Sequence, residues 1–145
     1  MKQELVNVWM TKNVLTVTPS TTLPEAHQIM MSNNIRRLPV VEKNGHLVGI
    51  VTLGDVRGAQ PSEATSLSIW EMNYLLAKLK LKEIMTPNPV TIEPEATIGE
   101  AARLMLENKV SGLPVVDDDN KVIGIITESD IFSMVVLHEW EEVYA

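Results

Sequence analysis

Gly49-Ile50-Val51-Thr52-Leu53-Gly54-Asp55 returns 75 positions later as Gly124-Ile125-Ile126-Thr127-Glu128-Ser129-Asp130. Each stretch reads as glycine, two β-branched apolar residues, threonine, two variable residues and aspartate. The apolar part suits a buried strand. The Thr and Asp fall where a strand gives way to a helix. The first backbone N–H groups of a helix lack partners and favour an anion. A threonine hydroxyl there can meet a phosphate, and an aspartate three residues on can accept hydrogen bonds from a sugar diol. The same pattern also serves plain helix capping, with Thr at the N-cap and an acidic side chain at N3.

Working outward, the 75-residue shift holds without a gap. Met10-Thr11 falls on Met85-Thr86, Thr16 and Pro19 on Thr91 and Pro94, and Glu25-Ala26 on Glu100-Ala101. Met30 falls on Met105, and Leu38-Pro39-Val40-Val41 on Leu113-Pro114-Val115-Val116. A gapless internal repeat decides the fold before any single motif does. Each copy predicts a short leading β segment (Val14–Val17, Val90–Ile92) stopped by a proline. A helix follows, with an apolar stripe at i, i+3, i+4 and i+7: Leu23, Ala26, His27, Met30 in one copy and Ile98, Ala101, Ala102, Met105 in the other. Thr22 and Thr97 are the expected caps. Continuous apolar strands come next, Leu38–Glu42 and Leu113–Asp117, each turning back through a polar hairpin into Leu47–Thr52 or Val122–Thr127. A second helix starts near Asp55 or Asp130. The order is β-α-β-β-α, twice.

This organisation predicts a first repeat over 8–58, a linker over 59–79, a second repeat over 80–138 and a polar tail over 139–145. In the linker, Ser68–Leu79 reads as a helix capped by Ser68 with Glu71 at N3. Its apolar face of Ile69, Met72, Leu76 and Leu79, flanked by Trp70 and Tyr74, is expected to dock on the module with Trp70 buried. Ile131–Leu137 is apolar nearly all round, so it is expected to be covered on several sides or to meet another subunit.

The bulk numbers narrow the function. The chain has 145 residues, 45% of them hydrophobic, and no cysteine. That leaves no disulfide frame, no thiolate nucleophile and no cysteine-based zinc site. No apolar run nears a membrane span, and the N-terminus opens no secretion signal, so a cytoplasmic protein is expected. A net charge of −7 and 4% aromatic residues argue against a nucleic-acid surface. His27 replaces Ala102 on the helix stripe and reads as an edge-of-core histidine, and no histidine–carboxylate spacing forms a metal ligand set. Asp117-Asp118-Asp119-Asn120 reads as a hairpin turn rather than a calcium loop. Neither Asp55 nor Asp130 has a base or nucleophile beside it in sequence, so no enzyme is expected.

Together the Met-Thr and Thr-x-x-Pro segments, the Leu-Pro-Val-Val strands and the two Gly-Ile-x-Thr-x-x-Asp stretches resemble a tandem pair of CBS domains, a Bateman module. The match covers Val8–Arg57 and Lys80–Leu137, with a looser similarity to the small acetoin-utilisation type of CBS protein. The resemblance implies an α+β fold of two repeats packed through their sheets about a pseudo-two-fold axis, and pairing into a homodimer. It implies a regulatory role: binding AMP, ADP, ATP or S-adenosylmethionine as a regulatory ligand, with no cofactor, and signalling to an unknown regulated enzyme. It also implies two sites shared across the halves. One would use Thr127, Ser129 and Asp130 with Asn13, Leu15, Ile35, Arg36 and Arg37. The other would use Thr52, Gly54 and Asp55 with Asn88, Val90, Val110 and Ser111. In each, Asp takes the ribose hydroxyls, Thr or Ser the phosphate, and Ile35 or Val110 the adenine face. Because Arg36-Arg37 aligns with Ser111-Gly112, the site holding Arg37 and Asp130 is expected to bind phosphorylated ligands more tightly. The competing expectation is a ligand-independent assembly module, in which Thr and Asp only cap helices.

Overall fold

A short helix, α1 (Val6–Trp9), leads the chain. Thr22 then caps α2 (Leu23–Asn33), its Oγ1 accepting from Glu25 N at 3.4 Å, and Pro24 occupies a position where the helix has no N–H bond to lose. β1 (Arg37–Val41) and β2 (Leu47–Thr52) pair antiparallel through a turn at Gly45, whose φ of 88° suits glycine. α3 (Leu53–Gly58) and α4 (Ile69–Lys78) follow. After a 3₁₀ turn (Leu81–Glu83), β3 (Thr86–Pro87) pairs antiparallel with β2. Thr97 caps α5 (Ile98–Asn108) with a reciprocal box: Glu100 N donates to Thr97 Oγ1 at 3.1 Å and Thr97 N to Glu100 Oε2 at 3.2 Å. β4 (Gly112–Val116) and β5 (Val122–Thr127) pair antiparallel, and α6 (Glu128–Tyr144) ends the chain. The computed structural model describes residues 4–59 and 69–144.

The fold class is the expected α+β one, with small antiparallel sheets backed by helices. The chain separates into two units, Leu15–Pro89 and Met1–Val14 with Val90–Ala145. Each has its own core, and the cores are built from the same positions. Val17, Leu23, Ala26, Met30, Leu38, Val40 and Val51 in one correspond at the 75-residue shift to Ile92, Ile98, Ala101, Met105, Leu113, Val115 and Ile126 in the other. The eighth pair crosses over: Leu81 fills the first core and Val6 the second.

That crossing is the main feature of the topology. The segment leading into each repeat lies on the sheet and helix of the other repeat. Val6 N donates to Ala96 O at 2.8 Å, Ile98 N to Glu4 O at 2.9 Å, and Thr11 exchanges two hydrogen bonds with Ile125 at 2.9 and 3.0 Å. In the other unit Leu81 N donates to Thr21 O at 2.9 Å, Leu23 N to Leu79 O at 2.9 Å, and Ile50 registers with Thr86. Methionines fasten both straps. A Cβ at Gly124 would lie 2.5 Å from Met10 Sδ, and one at Gly49 would lie 2.5 Å from Met85 Sδ. The glycine of each Gly-Ile-x-Thr-x-x-Asp stretch is therefore the seat for the methionine of the other repeat's Met-Thr pair. Glu4 adds a tie of its own: Oε2 accepts from Trp9 Nε1 at 2.8 Å, and Oε1 lies 2.8 Å from His138 Nε2 on α6.

Two expectations need correction. The leading β segments shrink to single parallel bridges, Val17 to Val40 and Ile92 to Val115. The ladder cannot extend back to Leu15 or Val90, because the next N–H would have to come from Pro39 or Pro114, which have none. Trp70 is 84% exposed and Tyr74 61% exposed; the segment docks instead through Leu76 of α4 and Leu79 just after it, which pack on the Leu15–Pro89 core. Ser68 and its capping box lie outside the described residues. Residues after Leu137 continue α6 to Tyr144, because nothing in that stretch is glycine or proline. His27, half-buried on α2, does sit at the edge of the core.

Trp70→Ala is expected to change stability by no more than about 0.5 kcal/mol, as for other exposed positions; a loss of several kcal/mol in chemical denaturation contradicts this placement. Gly124→Ala and Gly49→Ala are each expected to cost about 1–3 kcal/mol by overpacking. Gly49→Ala should be the worse, because its Cβ would also lie 3.1 Å from the Thr86 carbonyl oxygen, whereas the three nearest atoms at Gly124 all belong to the flexible Met10 side chain. Denaturation midpoints check the order, and the reverse order rejects the explanation.

Candidate ligand site

Each unit carries one strand-to-helix junction, and capping chemistry shapes both. At the first, Thr52 N donates to Asp55 Oδ2 at 2.8 Å and Asp55 N donates to Thr52 Oγ1 at 3.1 Å. This is a reciprocal capping box. At the second, Thr127 N donates to Asp130 Oδ2 at 2.9 Å and the Thr127 hydroxyl donates to the same oxygen at 3.1 Å. Capping occupies one oxygen of each aspartate. The other oxygen, Oδ1, makes no hydrogen bond among the described residues. Both aspartates are half-buried, so each carboxylate is held in place without being sealed off. The threonines differ in what they offer. Thr52 accepts in the cap and keeps its proton to donate, whereas Thr127 donates in the cap and presents lone pairs.

The residues before the Leu-Pro strands lie beside the junction of their own unit. Arg37 is in register with Thr52, and Leu53 N donates to Arg36 O at 2.7 Å. Gly112 is in register with Thr127, and Glu128 N donates to Ser111 O at 3.0 Å. Ile35, Arg36, Arg37, Thr52, Gly54 and Asp55 thus gather in the Leu15–Pro89 unit. Val110, Ser111, Thr127, Ser129 and Asp130 gather in the other. Arg36, Gly54, Ser129 and Val110 are exposed; Ile35 packs on its core from a half-buried position.

Asn13 and Asn88 both adopt left-handed backbone, with φ of 57° and 47°. Asn88 N donates to Val48 O, near the start of β2 and away from Thr52. Thr11 pairs antiparallel with Ile125, so Asn13 runs toward the start of β5 and away from Thr127. Leu15 is exposed, and Val90 packs on the core of its own unit.

The profile of the CBS domain matches residues 4–62 and 81–137. This chain belongs to the CBS domain family. Its CBS pair is similar to that of protein MJ0100, solved in complex with 5′-methylthioadenosine and S-adenosyl-L-methionine (31% identity, TM-score 0.78, 92% of this chain and 97% of that one). It is similar to CBSX2 solved in complex with AMP (31% identity, TM-score 0.77, 94% and 98%). It is also similar to a putative acetoin utilization protein from Vibrio cholerae (32% identity, TM-score 0.78, 97% of each), as the looser resemblance anticipated. In sequence it spans 91% of a CBS domain-containing protein of Dictyostelium discoideum at 39% identity. It spans only 21% of an inosine-5′-monophosphate dehydrogenase of Methanocaldococcus jannaschii at 38% identity.

Sequence reasoning overlooked two features of the CBS pair: the methionine seats on Gly49 and Gly124, and the Glu4–Trp9–His138 cluster. The first carried a signal, since Met and Gly each recur at the same 75-residue spacing. The second had none, because Glu4, Trp9 and His138 have no counterparts at that spacing. Among the described residues no helix is long and apolar enough to cross a membrane.

Proposed function

We propose that this CBS pair is a regulatory module whose two Thr-x-x-Asp junctions bind adenine-containing ligands (AMP, ADP, ATP or S-adenosylmethionine) and report their occupancy to a partner protein. The observation that carries the reading is the pair of pre-set aspartates with one oxygen left open, in a chain similar to CBS pairs solved with AMP, 5′-methylthioadenosine and S-adenosyl-L-methionine. The dehydrogenase relative, of which this chain matches about a fifth, supports a role beside a catalytic unit rather than catalysis by the pair.

Phosphorylated ligands are assigned to the Asp55 junction. Arg36 and Arg37 lie in its unit, and Thr52 keeps a donor for a group that only accepts. The Asp130 junction, with Glu128 and an acceptor at Thr127, is assigned to adenosine-like ligands without phosphate. This reverses the order implied by sites shared across the halves. A ligand at 100 times its dissociation constant should stabilise the chain by about 2.7 kcal/mol in a thermal shift panel. In calorimetric titration with AMP, Asp55→Ala should abolish the tighter event and Asp130→Ala should leave it nearly intact. The opposite result restores the shared-site order, and no response to any adenine ligand removes the ligand reading.

One observation favours assembly. Phe132, Val135 and Val136 form an exposed apolar face on α6, with Phe132 62% and Val136 65% exposed. Both Thr–Asp caps would also persist in a module with no ligand at all. A homodimer at micromolar concentration is proposed on this face. Light scattering after gel filtration should give about twice 16.1 kDa, and a constant 16.1 kDa rejects it.

A further inference from the structure

The strap methionines are exposed to a chemistry that the ligand reading does not involve. Met10 and Met85 are half-buried rather than sealed in the core, and each thioether rests on the bare backbone of a strand glycine. Met30 and Met105, by contrast, lie deep in the two cores. The chain has no cysteine, so methionine is its readily oxidised sulfur. We propose that Met10 and Met85 are oxidation sites at which a hydroperoxide loosens the straps that complete the two units.

The step balances with hydrogen peroxide as the oxidant. A lone pair on Sδ attacks one peroxide oxygen, the S–O bond forms and the O–O bond breaks. The second oxygen leaves with the proton as water. Sulfur is oxidised by two electrons and the peroxide is reduced by two. The product is a sulfoxide, polar and bulkier than the thioether. On the side of the sulfur that faces Gly124 or Gly49 there is no room for it, since a single methyl-sized atom on the glycine would already overlap the sulfur. The new S=O dipole would also have to leave water to remain seated. The straps also hold Val6 and Leu81 in the cores, so losing the methionine seats weakens the anchorage of both fully buried residues. Because the two seats are equivalent, both units respond to one oxidant.

Met31 supplies an internal control. It is 48% exposed on α2 and belongs to neither strap. The test treats the full chain with hydrogen peroxide, maps sulfoxide by peptide mass analysis and follows the thermal midpoint. The expected result is that the midpoint falls by at least about 4 °C in step with sulfoxide at positions 10 and 85. Oxidation of Met31, which should come first, leaves it unchanged. Met10→Leu with Met85→Leu should keep its midpoint through the same treatment. The proposal is overturned if sulfoxide forms at both positions without a fall. It is also overturned if the midpoint falls while both remain thioethers, or if the leucine variant falls as far as the unmodified chain. Should the leucine variant not fold, the map of the natural chain decides between the first two outcomes on its own.

Discussion

The structure depends on one close approach made twice: a methionine from the leader of one repeat lying on a strand glycine of the other. A strand glycine is ordinarily a weakness, because it packs nothing and gives up more backbone freedom than other residues. Here the missing Cβ is what lets the leader come within hydrogen-bonding distance of β2 or β5. Once there, the leader closes its host unit. Thr11 bonds to Ile125, Val6 enters the core beside Ile98, and Leu81 does the same beside Leu23. Two sheets this small would bury little apolar surface alone. The exchange gives each a further pairing element and a further fully buried side chain, and it makes each unit depend on residues from both repeats.

The same economy appears at the candidate site. Capping and ligand binding read as competing explanations of Thr-x-x-Asp, yet the geometry makes them compatible. An aspartate has two oxygens, and the cap uses one. The backbone N–H of Thr52 or Thr127 fixes the carboxylate in a single orientation, so a sugar diol would meet an acceptor already in place and would not bear the cost of ordering it. Where the junctions differ is in what surrounds the shared aspartate. Arg36 and Arg37 stand on one side, and Ser111 with Glu128 on the other, so one frame presents opposite charges.

Much of this was legible in the sequence, and the limits have physical causes. The gapless repeat supplied the strand and helix order and nearly every core position, because burial imposes the same periodicity on both copies. It could not say which copy a leader packs against, since an internal alignment records likeness and not contact. The exchange of Val6 and Leu81, and the placement of Arg37 beside Thr52, needed the register. Trp70 was misjudged for a related reason. Leu76 of α4 and Leu79 just after it do pack on the core, but Trp70 is exposed, and a large aromatic is not by itself evidence of burial. The leading strands were overestimated because their own β propensity ignores the missing N–H groups of Pro39 and Pro114 on the strands they would pair with. The capping half of the Thr and Asp pattern was legible in the sequence, but which carboxylate oxygen the cap uses was not.

The exchange of leaders is the claim on which the rest stands, and native-state amide hydrogen exchange tests it most directly. In the natural chain, the amides of Val6 and Thr11 should be protected to the same degree as those of Ile125 and Ile126, and the Leu81 amide to the same degree as that of Val51. In Gly124→Ala, protection should fall together at Val6, Thr11, Ile125 and Ile126 while Leu81 and Val51 keep theirs. Leader amides that exchange as freely as a frayed terminus, or a Gly124→Ala change that exposes Leu81 instead of Val6, would contradict it.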